Sequence, residues 1–429
     1  MPMRFRSIAP PAAGGATDLL AAARGIGERL VREAVWYRGQ CSWIGVAGAD
    51  GDSTSRRRPA HRALGPALGD GTAGIALFLA QLHAVTGDEA LRRTAIGAIG
   101  QALAYADTVS PAVVRGLYAG RPGIAYAAAR CGRLLGDERL VQRAAKLARA
   151  PTPEAHARTG SSDLVSGTAG AIAGLLALSH LVGDERVVAR AARLGDELAA
   201  AARRDPEGWS WAPAGERSRA AHGLCGLAHG GAGAAWALFE LSAATGDSRH
   251  RTTIERALFY ERHWFDVDQA NWPDLRGIER RERRGTFTAP YATAWCHGAP
   301  GIALSRLRGW QITGDERLRC AAVTALTTTA AHVERALLAP RANFTLCHGL
   351  AGSADVLLLG AELLAEGTAL ARRVGEIGVG RYATSLDGWP CGGGRTPALL
   401  AGDAGIGLFL LRLHDPTVPS ALLVGAPPS

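Results

Sequence analysis

A chain of 429 residues that is 47% hydrophobic and 20% charged can bury a large core, which excludes a disordered or fibrous protein. The net charge is +9, but Lys146 is the single lysine and the arginines are scattered along the chain, so no nucleic-acid surface is expected. No stretch approaches the roughly 18 apolar residues of a membrane span, the N-terminus lacks the continuous apolar run of an export signal, and seven cysteines in such a chain predict free or metal-bound thiols in a cytoplasmic protein.

The first predicted element is an amphipathic helix, DLLAAARGIGERLVREAV (18–35). A Gly-x-x-Gly loop leading into an apolar run then recurs seven times, at 69–82, 118–129, 165–178, 228–241, 296–307, 347–359 and 400–413. The spacing of about 50 to 70 residues marks a repeat protein. The runs are apolar almost all round, as in helices buried on every side. Most are followed by a turn such as TGDEAL (86–91), GDERV (183–187) or TGDERL (313–318), whose glycine ends one helix and whose aspartate caps the next. The helices after these turns, such as RLVQRAAKLARA (139–150), alternate arginine with apolar residues and form an outer wall. The last apolar run, GIGLFLLRL (405–413), would be exposed in an open solenoid, so the expected fold is an all-α (α/α) toroid of seven helix pairs with its glycine loops at one mouth. Residues 1–60 form an N-terminal segment carrying the first outer helix; 61–429 form the toroid, which is one unit with 18–35.

The positions just before each first glycine carry the chemistry. Loops five and six repeat Cys-His-Gly, at Cys296-His297 and Cys347-His348; loop four has His229 alone; loop three has Asp163 four residues before Gly167. A ring converges these loops on one site. Thiolate and imidazole are preferred zinc ligands, and three protein ligands with an open fourth position form a catalytic centre. With His297 included, four ligands would close the site, and spacing alone leaves both arrangements open. Cys131 and Cys320 read as small buried hydrophobes, and Cys41 has no evident role. Cys225 and Cys391 lie nearer the loops without the repeat match. His222 has no register support, and His83, His156, His180, His250, His263, His332 and His414 read as surface or packing residues. The dense basic run RGIERRERRG (276–285) reads as an exposed loop.

With GLAHGGAG, WCHGAPG, LCHGLAG and the ending GDAGIGLFLLRLHDPTVPSALL in view, the chain resembles the lanthionine synthetase C-like family, the lanthipeptide cyclases, over roughly residues 60–425. The ending is similar to that of cyclase domains fused to dehydratases. The resemblance implies one Zn2+ per chain on Cys296, Cys347 and His348, with His229 as acid-base residue and Asp163 as its partner. It implies a zinc-dependent cyclase that adds peptide cysteine thiols to dehydroalanine or dehydrobutyrine, forming thioether rings. The implied partners are a dehydrated precursor peptide with a leader, which the basic run 276–285 would contact, and a separate dehydratase, since residues 1–60 are too few for one. Two departures stand out: Ala292 occupies the place of an arginine found in nisin-type relatives, and His297 replaces a tyrosine, as in animal relatives that act on glutathione. Addition of glutathione or another thiol, and a non-catalytic zinc-stabilised scaffold, are the alternative functions. Zinc prenyltransferases share the toroid, but their aromatic-rich repeats do not fit a chain with 6% aromatic residues.

Overall fold

The computed structural model describes residues 18–47, 60–151, 161–213, 222–276, 278, 290–385 and 388–425. Seven helices follow the glycine loops: α2 (Thr72–Thr86), α4 (Arg121–Leu135), α6 (Thr168–Val182), α8 (Gly231–Thr245), α10 (Ala299–Thr313), α12 (Leu350–Leu359) and α14 (Asp403–His414). Each packs on the next and α14 packs on α2, so these helices close an inner ring. Around it stand α1 (Leu19–Glu33), α3 (Glu89–Ala104), α5 (Glu138–Arg149), α7 (Glu185–Ala200), α9 (Arg251–His263), α11 (Glu316–Ala336) and α13 (Gly367–Tyr382). The fold is an (α/α) toroid.

The two layers follow from sequence pattern. In α6 every residue from Thr168 to Leu178 is buried, because α4, α8 and α7 cover it. In the outer α7 only one stripe is buried, Val187, Ala191, Leu194 and Leu198, at the spacing of a single helical face. The turns between layers behave as their residues require. Gly87, Gly183 and Gly314 end inner helices at φ of 71°, 65° and 69°, and Asp88, Asp184 and Asp315 accept hydrogen bonds from backbone N–H groups two residues on.

Among the described residues three two-stranded antiparallel pairs decorate this all-α frame: β1 (Val35–Tyr37) with β2 (Gln40–Ser42), β3 (Ile44–Ala47) with β4 (Ala60–Ala63), and β5 (Arg203–Asp205) with β6 (Gly208–Ser210). The helical periodicity gave no hint of them. The first turns at Arg38-Gly39, both at positive φ, which matches the twist of a two-residue hairpin. Cys320 also departs from expectation: it is exposed on α11, whereas Cys131 is buried in α4 as expected.

The C-terminal segment fills the ring. The Tyr118 hydroxyl donates to the Ala421 carbonyl at 2.7 Å, the Trp295 indole donates to the Leu422 carbonyl at 3.3 Å, and Gly425 lies against Ala177 of α6. A segment that meets parts of the ring this far apart must run inside it. Its anchor is a buried network in which Arg412 donates to Asp355 at 2.6 Å and to the Val418 carbonyl, while the Ser420 hydroxyl donates to the other Asp355 oxygen. No helix among the described residues is long and apolar enough to cross a membrane.

Because Arg412 and Asp355 are both buried, Arg412→Ala leaves an uncompensated carboxylate in the interior. A loss of about 3–5 kcal/mol is expected, seen as a lower urea midpoint, and Asp355→Asn should recover part of it in the double variant.

Candidate metal and acid-base site

The mouth of the toroid is built by its loops. The second glycine of each Gly-x-x-Gly packs against the carbonyl six residues upstream; a Cβ at Gly301 would collide with the Trp295 oxygen and one at Gly352 with the Leu346 oxygen. The motif is thus a close-packing requirement, repeated at each inner helix start.

The loops are joined by a belt of backbone hydrogen bonds at one repeated register position. Cys347 donates to Leu400, Leu400 to Gly69, Gly69 to Tyr118, Tyr118 to Val165, Val165 to Ala228 and Ala228 to Cys296, at 2.8 to 3.4 Å. Among the described residues the belt makes no such bond from Cys296 to loop six. At that junction the side chains of loops five and six meet instead. One ligand atom each from Cys296, Cys347 and His348 lies within 4.8 Å of the others, and this is the one group of three potential metal-binding side chains among the described residues. A tetrahedral zinc with bonds of about 2.0–2.3 Å holds its ligand atoms about 3.5 Å apart, so small rotations would close the set on an ion. The donor chemistry fits: two thiols and an imidazole.

The thiols are not alike. Burial pushes Cys41, Cys131 and Cys391 up to about 12, and Cys225 well above its ordinary value. Cys296 is held well below the usual thiol range by its hydrogen bond with Cys347, with His348 adding to the effect against the cost of burial. That favours the thiolate a metal needs.

The residue after each belt position is His229, His297 and His348 in loops four, five and six. Asp163 sits just before Leu164, whose N–H donates to the Ala228 carbonyl at 3.0 Å, and this brings the aspartate to His229. His229 Nδ1 donates to Asp163 Oδ2 at 2.9 Å, while Asp163 Oδ1 accepts the Ser166 N–H at 2.6 Å. The carboxylate therefore orients the ring and holds its own loop. Burial disfavours a charged His229, but the Asp163 hydrogen bond and charge, with Cys296 contributing, outweigh it and raise its pKa. Loop four is held in turn by buried Glu261 of α9, which accepts the Gly226 and Ala232 N–H groups at 2.9 and 2.8 Å and pairs with Arg306 at 2.6 Å.

His297 stands apart from the three-donor cluster. Its ring lies 5.8 Å from that of His229, and its buried Nε2 has no hydrogen-bond partner. Ala292 contributes only its carbonyl, to Asn271 Nδ2 at 3.1 Å, while Asn271 Oδ1 accepts the Ala299 N–H at the start of α10. Arg276 is the residue that the sequence reading missed. Taken as part of an exposed basic loop, it is instead partly buried, forked onto Asp274 at 2.6 and 3.0 Å, with its charge acting on both His229 and His297. The Asp-x-Arg spacing was the available signal. The rest of that basic run, apart from Ile278, lies outside the described residues, as does His156.

Gly298 opens α10 at φ 84°, and a Cβ there would meet the Ala292 carbonyl and Asn271. Gly298→Ala should therefore cost about 1–2 kcal/mol from backbone strain alone, read as a lower denaturant midpoint, whereas Gly25→Ala, where a Cβ meets nothing, should not destabilise.

Comparison with known proteins agrees with this architecture. The solved structure of nisin cyclase superposes with a TM-score of 0.62 at 20% identity, over 81% of this chain and 88% of that one. A circular tandem repeat protein with novel repeat topology and enhanced subunit contact surfaces matches over 71% of this chain and 67% of that one at 17% identity, but its TM-score of 0.18 is too low to indicate a shared fold. A sequence search of curated proteins finds no significant match. The family model for lanthionine synthetase C-like proteins matches residues 62–423, and the chain belongs to that family.

Proposed function

We propose that the protein is a zinc-dependent lanthipeptide cyclase, which adds the cysteine thiol of a dehydrated precursor peptide to a dehydroalanine or dehydrobutyrine. The observation that carries this reading is the meeting of Cys296, Cys347 and His348 next to the His229–Asp163 pair at one mouth. Family membership and the fold shared with nisin cyclase support it. Cys296, Cys347 and His348 would hold one zinc per chain, and such an ion supplies a Lewis acid that lowers the pKa of an incoming thiol.

The remaining steps belong to the chain. As the substrate thiol gives its proton to solvent and its sulfur bonds to the β-carbon, the alkene electron pair moves into the adjacent carbonyl as an enolate. The α-carbon then needs a proton. His229 is suited to deliver it: Asp163 occupies Nδ1, leaving Nε2 of a side chain that is 35% exposed to serve the substrate. Arg276, fixed by Asp274 and near both histidines, would offset the negative charge of the enolate. The product is an isomer of the substrate, so the thiol disappears without a change in mass.

Incubation with a dehydrated cysteine-containing peptide should therefore consume free thiol at constant peptide mass, and Cys296→Ala and Cys347→Ala should abolish both bound zinc and turnover. Consumption undiminished in either variant would reject the assignment. His229→Ala should retain zinc and lower kcat by about 10²–10⁴-fold.

The pH profile supplies a separate check. A raised pKa keeps His229 protonated to higher pH, and removing the Asp163 charge lowers that pKa. Asp163→Asn should thus move the alkaline limb of the rate profile to lower pH; an unmoved limb would separate Asp163 from proton delivery.

A further inference from the structure

A cavity of about 1000 Å³ opens on the outer wall of the toroid, between α9 and α11, away from the thiol cluster. Its walls mix charged and hydroxyl groups with apolar side chains, the latter including Phe259, which is 38% exposed, with Leu258 and Phe265 on one side, and Leu318 and Ala321 on the other. The cavity is at the upper end of the range for ligand pockets, but it is a groove between two helices rather than an enclosed chamber. With helices forming both walls, the fitting occupant is an amphipathic helix laid along it, anchored by apolar side chains at successive turns.

The rim adds charge. Arg251 pairs with Glu255 at 2.9 Å, Arg317 with Asp315 at 2.7 Å and the inner Arg306 with Glu261. Arg256 and Arg262 are different: their guanidinium groups lie 5.2 and 5.5 Å from the Phe259 ring centre, and neither pairs with a carboxylate among the described residues. Arg256 is steered onto the Phe259 ring by donating to the Asp205 and Pro206 carbonyls. Two cations with no carboxylate partner among the described residues, flanking an exposed aromatic ring, select a partner with acidic residues beside its apolar anchors.

One lining residue is joined along the chain to the catalytic side. Trp272, part of its lining, lies tilted against Phe265 with ring centres 4.7 Å apart and directly follows Asn271, which caps α10 and bonds to the Ala292 carbonyl. The segment continues to Asp274 and Arg276. A helix held in the groove would therefore tether the rest of its chain near the mouth and raise its local concentration there.

We propose that this groove binds an acidic, apolar-anchored helical segment of the precursor peptide, outside the residues that become rings. The identification of the occupant rests on the reading that the substrate is a peptide.

The test uses the full chain and a fluorescent peptide of about 18 residues with leucine and glutamate in helical register, beside its lysine-for-glutamate counterpart. The acidic peptide should bind saturably, more weakly as salt rises, and the basic one should not. Phe259→Ala and the double change Arg256→Glu, Arg262→Glu should weaken binding at least about tenfold, while zinc content and thiol addition to a short leaderless peptide stay at the wild-type level. Cys296→Ala should bind the acidic peptide as wild type does. No saturable binding, equal binding of both peptides, or indifference to the groove substitutions would overturn the proposal. So would a dimer that buries the groove and that the acidic peptide leaves intact. Groove-dependent binding in a protein that adds no thiol would instead remove the cyclase reading and leave a binding scaffold.

Discussion

The backbone belt around the mouth is the constraint on which the site depends. Each loop passes its N–H to the next loop at the same register position, from Cys347 through Leu400, Gly69, Tyr118, Val165 and Ala228 to Cys296. The second glycines let the loops pack closely enough on their own helices for this geometry to repeat. The two ends of the belt are the two cysteines of the Cys-His-Gly motifs. Where backbone bonding stops, thiols and an imidazole converge, so an ion held there would close the belt with side chains. Metal chemistry and ring closure would then share one position.

The same belt explains how residues far apart in sequence act together. Asp163 and His229 are 66 positions apart, yet the bond between Leu164 and the Ala228 carbonyl fixes their loops side by side. The next bond ties Ala228 to the Cys296 carbonyl, so the acid-base pair and the cysteines are set by consecutive links. Behind them, buried Glu261 and Asn271 satisfy N–H groups at the starts of α8 and α10, which lack side-chain caps of their own. The C-terminal segment closes the ring from within, through Tyr118 and Trp295, both of which belong to the loops.

Much of this was legible because repetition makes register visible. The alternation of fully apolar and striped helices gave both layers, and aligning the loops on their first glycine singled out His229, Cys296, Cys347 and His348. What escaped the sequence is what periodicity does not encode. The Arg38-Gly39 hairpin depends on two local positive φ angles. The outward placement of Cys320 depends on which face of α11 meets the core. Arg276 was hidden because a run of charges looks uniform in sequence, whereas its bond to Asp274 partly withdraws it from solvent. His297 lies outside the group of three whose ligand atoms come within 4.8 Å of one another, a separation that spacing alone could not decide.

The most direct test of the account is the zinc-edge absorption spectrum of the purified, zinc-loaded chain. The account predicts about one zinc per chain with two sulfur ligands near 2.3 Å and an imidazole nitrogen near 2.0–2.1 Å, and loss of the sulfur signal when Cys296 and Cys347 are both replaced by alanine. Folded protein that binds no zinc, or binds it through nitrogen and oxygen alone, would contradict a centre built at the open junction of the belt.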